Sequence, residues 1–410
     1  MKLAKLSLAA IVVAGLASSS FAADTLADAF KNGKVNGELK AYYFTTDDGT
    51  SDADIFSTGV MLSYKTAPLY GLTLGLTAQG SASPFVDADG KAAFDGSMWG
   101  SGAVLSEAYV AYNIGKTTAM VGRMFLDTPL VSGSGSRIIK EAFEGAAVIN
   151  TDLPNTTLIA GYVQKFQSRT NGLGDVGEFT KNFSTNSSVN VDLNNGGYTF
   201  AAINKSITGL TLTAAYAYAD AYYNDVVGTA AEVNGVVHIG YVEALYEGKI
   251  GEVGFTLGAQ DYYNKYNDST TADDTINIYA FKAGVSFKGI NGTVAYSQTS
   301  DDVTASGAVI SGLGNGADLL YTDPVIGMPG YNRDTTSYLA DVNYDVTAAA
   351  NVGARYVLAE LADHDEDYTA VYGSYKFEGA LKGFSLGAQF ESKGKDVDGE
   401  DLWVKANYKF

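Results

Sequence analysis

The stretch from Asp401 to Phe410 reads DLWVKANYKF and has a period of two. The apolar residues are Leu402, Val404, Ala406, Tyr408 and Phe410, and the positions between them hold Trp403, Lys405, Asn407 and Lys409. This alternation indicates a strand with one apolar face and one mostly polar face, and about ten residues suffice for a tilted strand to cross a bilayer. A terminal Phe fits poorly in a soluble domain but fits an aromatic ring at a membrane interface. The stretch predicts the closing strand of a transmembrane barrel, with the closing strand of a soluble β-sandwich as the alternative.

The first 22 residues have the pattern of a secretory signal peptide. Lys2 and Lys5 form a basic segment, an apolar run follows from Leu6 to Leu16, and Ser20-Phe21-Ala22 has the small-x-small form of a cleavage site. We therefore expect residues 1–22 to be removed and residues 23–410 to form a single outer-membrane barrel domain. No later segment has 18 consecutive apolar residues, so any crossing would use strands, which lipid tolerates only in a closed barrel.

Composition excludes several classes of protein. The chain contains no Cys, so disulfides and thiol chemistry are absent. Its formal charge of -19 argues against a nucleic-acid partner. Mean hydropathy near zero in an exported chain fits a barrel, in which apolar and polar residues interleave.

Alternating runs recur along the chain and are joined in turn by short and by longer polar connections. We count about 18 strands, an even number, as bacterial outer-membrane barrels require. All six Pro residues fall in connections, where a missing N–H does no harm. Three strands begin after a short turn with similar sequences, at Gly71-Leu72-Thr73-Leu74, Gly209-Leu210-Thr211-Leu212 and Gly383-Phe384-Ser385-Leu386. The fold class is therefore all-β, an antiparallel transmembrane barrel with short periplasmic turns and long extracellular loops.

Charged residues on the polar faces of these strands predict a wet lumen. A Lys or Arg facing lipid at the bilayer midplane costs ~2–4 kcal/mol, so alternation assigns such residues to the interior. A barrel of about 16–18 strands leaves an aqueous channel, whereas eight strands do not. The candidate lumen residues of this kind are Lys40, Glu107, Arg123, Asp341 and Arg355. The alternative for each is a paired or solvated wall residue.

The run from Ser106 to Ile159 carries a more specific signal. It contains the elements V-G-R, D-T-P-L, S-x-S-R-I-I, F-E-G and N-T-D-x-P-N-T. Together these resemble the OprD-type porins (outer membrane carboxylate channels) of Gram-negative bacteria, and are most similar to the branch called simply Opr-family porins. The resemblance extends over the mature chain and is strongest over residues 35–165.

The resemblance implies an 18-stranded barrel whose infolded loops narrow the pore, with a row of basic residues that guides anionic groups. It makes residues 126–142 the candidate constriction loop. By position, Arg123 would lie on the wall at the constriction, and Asp127 and Arg137 on the infolded loop. Relatives often have Pro where this chain has Lys140, which implies a less rigid loop or a different charge at the narrowest point. We expect Arg123, Arg137 and Arg355 to set that charge.

The acidic rim and the basic constriction predict opposite selectivities. Acidic groups cluster in the outer loops, where a negative mouth would concentrate cations; they are Asp47, Asp48, Asp52, Asp54, Asp363, Asp365, Glu366 and Asp367. A basic constriction would favour carboxylates and should dominate because screening is weaker in a narrow pore. Solubility and calcium bridging to lipopolysaccharide are alternative roles for the acidic loops.

Three other functions are less consistent with the sequence. An enzyme is disfavoured because the two His, His238 and His364, belong to no G-x-S-x-G or H-E-x-x-H motif. A structural or adhesive surface barrel needs no charged lumen, and a plugged transporter needs an N-terminal plug domain, for which residues 23–34 are too few. The sequence therefore predicts an outer-membrane porin for passive diffusion of ions and small hydrophilic solutes, with small carboxylates or amino acids as preferred solutes. We expect no cofactor and no metal; the partners are the solutes and outer-membrane lipid and lipopolysaccharide, and both a monomer and a homotrimer remain open.

Overall fold

A computed structural model describes residues 23–184, 190–224, 232–268, 274–300, 311–329, 331 and 334–410. The predicted signal peptide, residues 1–22, lies outside these ranges. The first seven strands are β1 (Lys34–Asp47), β2 (Asp52–Lys65), β3 (Leu72–Ala82), β4 (Gly100–Ile114), β5 (Thr117–Met124), β6 (Ala142–Asn150) and β7 (Thr156–Gln167). Three short strands follow, β8 (Gly174–Asp175), β9 (Phe179–Thr180) and β10 (Asn182–Ser184).

The remaining strands complete the wall. They are β11 (Asn190–Asn204), β12 (Leu210–Asn224), β13 (Glu232–Ile250), β14 (Val253–Asp268), β15 (Asp274–Phe287), β16 (Ile290–Thr299), β17 (Thr336–Asp345), β18 (Ala350–Glu360), β19 (Asp365–Lys376), β20 (Phe384–Lys395) and β21 (Gly399–Lys409). The helices are α1 (Leu26–Lys31) and α2 (Ala88–Ala93), with a single 3-10 turn at Gly379–Leu381. In the part of the chain described here, no helix is both long and apolar enough to span a membrane.

The sheet closes on itself as an 18-stranded antiparallel barrel. Each long strand pairs with its neighbours in sequence, and β7 pairs with β11 past the three short strands. The last strand pairs with the first, from Glu38 opposite Lys409 to Asp47 opposite Glu400. Closure leaves no unpaired edge, which is the condition for a sheet to cross lipid. The predicted fold class and the closing role of residues 401–410 are confirmed.

The two faces of each strand follow the alternation in the sequence. In β1, Leu39 and Tyr43 are 47% and 38% exposed, whereas Lys40 and Phe44 are 6% and 0% exposed. Because successive side chains of a strand point to opposite faces, the first pair faces lipid and the second pair faces the lumen. The same rule puts Trp403 inside the barrel.

The three repeated turn sequences have one physical explanation. Gly71, Gly209 and Gly383 all adopt positive φ, at 86°, 82° and 97°. Each glycine carbonyl accepts a hydrogen bond from a residue near the end of the neighbouring strand, at 2.9, 2.8 and 2.9 Å. A side chain at any of them would collide with a carbonyl of that strand. Glycine is therefore required both by φ and by close approach of the backbone.

The wall is low at β5 and β6, and a long connection fills the gap. These strands have 8 and 9 residues, against 15 in β4 and 12 in β7. Above them, β8 pairs in parallel with the start of β4, and β9 pairs with the end of β7. Through these pairings, part of the connection between β7 and β11 lies above the short wall strands β5 and β6. The connection between β5 and β6 turns into the barrel.

Candidate constriction site

Residues 125–141, the connection between β5 and β6, fold into the lumen; we call them the constriction loop. Its apolar side chains Leu130, Val131 and Ile139 are 0%, 0% and 2% exposed. Leu130 and Val131 belong to the same buried cluster as Phe143 of the wall, and Ile139 belongs to a second cluster with Phe44. The range nearly coincides with the predicted loop at 126–142.

Two wall residues hold the C-terminal part of this loop. Lys40 of β1 donates from Nζ to the carbonyls of Arg137 and Ile138 at 3.3 and 3.0 Å. Gln79 of β3 binds both backbone groups of Lys140, accepting its N–H at 2.8 Å and donating to its carbonyl at 2.8 Å. Lys40 and Gln79 are almost fully buried, so these bonds fix the height of the loop in the barrel.

Glu141 joins three separate parts of the chain. Its carboxylate accepts from the N–H of Ser134 at 2.8 Å and from the N–H and side-chain amide of Asn315 at 3.1 and 2.6 Å. The Nε of Arg169 lies 3.0 Å from Oε1, although its N–H is not aimed at that oxygen. The side chain of Glu141 is completely buried. It therefore connects the constriction loop to two other connections.

Residues 311–329, from the connection between β16 and β17, form a second infolded segment. Its backbone bonds directly to the constriction loop: the N–H of Leu313 donates to Leu130 at 2.9 Å, and the N–H of Ser132 donates to Leu313 at 3.1 Å. The buried carboxylate of Glu391 on β20 accepts N–H bonds from residues 325–327 at 2.5 to 3.2 Å. The two infolded segments are thus bonded to each other and to the wall.

A cationic cluster lies where the constriction loop meets strands β1 and β21. The guanidinium carbon of Arg137 lies 3.9 Å from the ring centre of Trp403, and Nζ of Lys405 lies 4.5 Å from the same ring. Phe44 stacks on Trp403 with centroids 4.6 Å apart, at an interplanar angle of 7°. Lys40 and Arg169 are both within electrostatic range of Lys405. We call Lys40, Arg137, Arg169 and Lys405 the cationic cluster.

Burial and like charge act together on Arg137. Desolvation is the main cause that lowers its pKa to about 9, with a contribution from Arg169 in the same direction, while Glu141 and Asp401 raise it. A guanidinium with that pKa still carries its charge at neutral pH. Two cations on one aromatic platform repel each other, so the cluster favours an anion between them.

Asp127 and Lys140 lie on the same loop but serve it in different ways. Asp127 accepts from the Ser132 hydroxyl at 3.0 Å, and burial raises the pKa of its carboxyl. Nζ of Lys140 lies 4.5 Å from the ring centre of Phe125. Both residues are part of the infolded loop, as the resemblance implied, and these two side-chain contacts stay within that loop.

The structure places Arg123 on the outer face of the barrel. Val121 of the same strand is 63% exposed to the outside, whereas Met120 and Met124 are buried in the lumen. Alternation gives Arg123 the face of Val121. Its Nε lies 3.1 Å from Glu144, which also lies 3.2 Å from Lys165. The predicted lumen position of Arg123 is therefore wrong, because its charge predicted the inner face whereas the alternation of β5 puts it on the outer face with Val121.

A β-bulge explains the position of Glu107. Thr77 pairs with Glu107 and Ala78 with Leu105, so Ser106 has no partner. Ser106 and Glu107 consequently both reach polar groups inside: Ser106 donates to Gln167 at 2.7 Å, and Glu107 accepts the Phe125 N–H at 3.3 Å. Glu107 therefore supports the start of the constriction loop.

Asp341 of β17 and Arg355 of β18 form an ion pair on the wall of the barrel. Nε of Arg355 donates to Asp341 at 3.0 Å, and the Tyr372 hydroxyl donates to the same oxygen at 2.8 Å. Nη1 of Arg355 donates to the carbonyl of Asp323 at 2.9 Å. This arginine thus holds the second infolded segment and is separate from the cationic cluster. The structure brings together Lys40 and Arg137 of the predicted site residues, and leaves Arg123, Asp341 and Arg355 elsewhere.

Sequence reasoning missed three residues of the site. Lys405 was expected to face inward but not to take part in the site, while Arg169 and Glu141 were not considered. Arg169 is one of only five Arg in the chain, and this scarcity was the one signal available for it. Glu141 carries no such signal because its partners are distant in sequence.

The family model for outer membrane porins of the OprD family matches residues 72–302. The chain belongs to the OprD family of outer membrane porins. That match covers more than half of the chain, and with the closed barrel it makes this protein an outer-membrane channel for small solutes. Nothing in these comparisons supports the adhesive alternative.

Solved structures share the fold at low identity. OccAB2 of Acinetobacter baumannii has a TM-score of 0.77 at 16% identity, covering 93% of this chain and 99% of that chain. OccAB1 of the same organism has a TM-score of 0.74 at 15% identity, covering 93% and 97%. Pseudomonas aeruginosa OpdK with vanillate has a TM-score of 0.74 at 13% identity, covering 93% and 99%. No protein with curated annotation matches the sequence.

Proposed function

We propose that this porin passes small carboxylates, and that the cationic cluster is the site that selects them. The observation that carries the proposal is an excess of positive charge at the contact between the constriction loop and the wall. Glu141 faces Arg169, and Asp401 lies 3.0 Å from Lys393. Arg137 and Lys405 have no carboxylate of their own among the ion pairs of the described residues, and both lie on the Trp403 ring.

The chemistry of the cluster suits a carboxylate. A guanidinium offers a planar fork of donors that matches both carboxylate oxygens, and an ammonium adds a point charge. Because aromatic rings hold both cations in place, most of their N–H donors stay available for a ligand. A solute with a flat ring would also contact the guanidinium plane. The OpdK structure with vanillate, a relative in fold, supports an aromatic carboxylate as the first solute to test.

One residue of the acidic rim, Asp48, also has a structural role. Asp48 accepts from the backbone and hydroxyl groups of Thr50 and from the backbone of Ser51 at 2.6 to 2.9 Å. These bonds to Thr50, followed by the bond from Ser51, lower the pKa of Asp48 to about 2. The carboxylate therefore stabilises the tight turn between β1 and β2. Calcium bridging by these acidic groups remains a prediction.

The test is ion preference in planar bilayers under a salt gradient, followed by block of the chloride current with benzoate. We expect the wild-type protein to prefer anions and benzoate to reduce its current. The double variant Arg137→Gln/Lys405→Gln should lose much of both effects. Its control is Lys116→Gln/Lys382→Gln, which removes the same charge from exposed turns at the opposite end. Equal reversal potentials in the two double variants would refute the role of the cluster.

The remaining expectations are proposals about assembly and activity. The family is one of channels, and we propose that the chain has no enzymatic activity, which incubation with ester and glycoside substrates would check. Contact with lipopolysaccharide and a homotrimeric state are proposals as well, with a monomer as the alternative. Sedimentation of the detergent-solubilised protein distinguishes a trimer from a monomer.

A further inference from the structure

Helix α1 has an apolar face that the described part of the chain leaves largely exposed. Leu26 and Phe30 are 63% and 46% exposed. They are four residues apart and therefore share one side of the helix. Ala29, which is buried, points to the turn between β2 and β3, while Lys31 lies on the opposite, polar side. The helix is thus amphipathic: Ala29 packs against the protein, Leu26 and Phe30 form an exposed apolar side, and Lys31 lies on the polar side.

The short helix is held in a defined place. The hydroxyl of its N-cap Thr25 accepts the N–H of Asp28 at 3.1 Å, which satisfies one of the free donors at the helix start. The carbonyl of Ala29 accepts the N–H of Ala67 at 2.9 Å. The Phe30 ring stacks on Tyr64, with centroids 6.4 Å apart. Its exposed side chains therefore keep a fixed direction relative to the barrel.

That direction is continuous with the lipid-facing wall. Tyr64 of β2 pairs with Val35 of β1, and Val35 is 60% exposed on the outer face. Two positions further along β1, Gly37 exchanges backbone hydrogen bonds with Phe410, whose ring is 55% exposed. All of these residues lie at the end of the barrel with the short turns, which faces the periplasm in bacterial outer-membrane barrels.

We propose that α1 lies in the headgroup region of the periplasmic leaflet, with Leu26 and Phe30 inserted among the lipid chains. Helices with one apolar and one charged side bind membrane interfaces in this way, and aromatic rings such as Tyr64 and Phe410 are enriched at the same depth. The lipid surface is the occupant because the apolar side of the helix continues the lipid-facing wall. The helix keeps the segment before β1 outside the mouth of the pore.

The test uses the absence of Cys in the chain. Single nitroxide labels are placed at Leu26→Cys and, on the polar side of the same helix, at Lys31→Cys. Reference labels are Leu62→Cys, on the lipid-facing wall at 50% exposure, and Phe85→Cys, which is 100% exposed in a loop at the other end. Each protein is reconstituted in phospholipid bilayers, and collisions with oxygen and with a water-soluble nickel chelate are measured by electron paramagnetic resonance.

We expect the oxygen-to-nickel collision ratio at residue 26 to shift toward that of the Leu62 label, while the residue 31 label stays close to the Phe85 label. A ratio at residue 26 equal to that of the Phe85 label would overturn the proposal, because the helix would then lie in water. Protection of residue 26 from both reagents would also overturn it, because a protein surface, such as a second copy of the chain, would then cover the helix. Circular dichroism of each variant confirms that the barrel has formed.

Discussion

Neutralising Glu141 should loosen the constriction without opening the barrel. Glu141→Gln keeps one oxygen and replaces the other with an NH₂ group, which would face the donors that now bind it. The N–H of Ser134, the N–H of Asn315 and the side-chain amide of Asn315 lie 2.8, 3.1 and 2.6 Å from the present carboxylate oxygens. The single amide oxygen of Gln cannot satisfy all three donors, and Arg169 loses its counter-charge.

The magnitude follows from burial. The side chains of Arg169 and Glu141 are 12% and 0% exposed, and removing one partner of a buried ion pair costs ~3–5 kcal/mol. Hydrogen bonds to charged groups add ~1.5–3 kcal/mol each, but these energies share one carboxylate and do not add. A local loss of about 3 kcal/mol raises the population of detached loop conformations by roughly a hundredfold. No wall strand pairs through this residue, so the loss stays with the infolded segments.

Single-channel recording is the assay. We expect the Glu141→Gln protein to show frequent transitions between current levels. Its reversal potential should shift toward greater anion preference, because the negative charge beside Arg169 of the cationic cluster has been removed. Glu378→Gln is the control, since it removes one charge from an exposed turn. Steady currents and an unchanged reversal potential in Glu141→Gln would refute the assignment of Glu141 as the residue that joins the loops.

Three further predictions concern the second infolded segment, a turn and a histidine. Glu391→Gln should leave residues 325–327 with unsatisfied N–H groups and weaken the anchor by ~1.5–3 kcal/mol, seen as faster proteolysis within 311–329; cleavage at the wild-type rate would contradict it. Gly209 has a φ of 82°, and a neighbouring carbonyl would lie 2.5 Å from the carbon added in Gly209→Ala, so this variant should lower the free energy of unfolding in urea by ~1–3 kcal/mol. The control is Gly292→Ala, whose nearest contact is at 3.8 Å and which should cost less than 1 kcal/mol. The hydrogen bonds of His364 to Glu366 and to Asp363 raise the pKa of this His. The stabilisation that they provide is therefore complete below the unfolded pKa of about 6.5 and is lost as pH rises through the higher folded pKa. An NMR titration should show a lower pKa of His364 in Glu366→Gln, and an unchanged pKa would disprove the cause.

The wall of the barrel could be predicted from the sequence because its rules are local. The parity of Lys40 against Leu39 depends only on neighbouring residues, and so does the position of Lys405. The glycine turns at Gly71, Gly209 and Gly383 are visible as a repeated four-residue pattern, and the structure adds the reason for it. For such features the physical cause acts within a few residues.

The constriction could be predicted only in part. The residues of its loop were recognised, but Glu141 binds Asn315 and Arg169, and no periodicity connects those positions. The bulge at Ser106 is equally invisible, since one extra residue in a strand leaves its composition unchanged. Arg123 was misplaced because a charge on the outer face is tolerated when a carboxylate such as Glu144 pairs with it, and recognising that pair requires knowledge of the neighbouring strands.

The bond between Glu141 and Asn315 also bears on the order in which the molecule assembles. These residues are 174 positions apart, whereas most pairings in the wall join strands that follow each other in the chain. Contacts between distant segments form late, because the intervening chain must first be ordered. We therefore expect the consecutive strands of the wall to pair before the two infolded segments meet. A chain arrested between these stages would have much of its wall but neither infolded segment held in place.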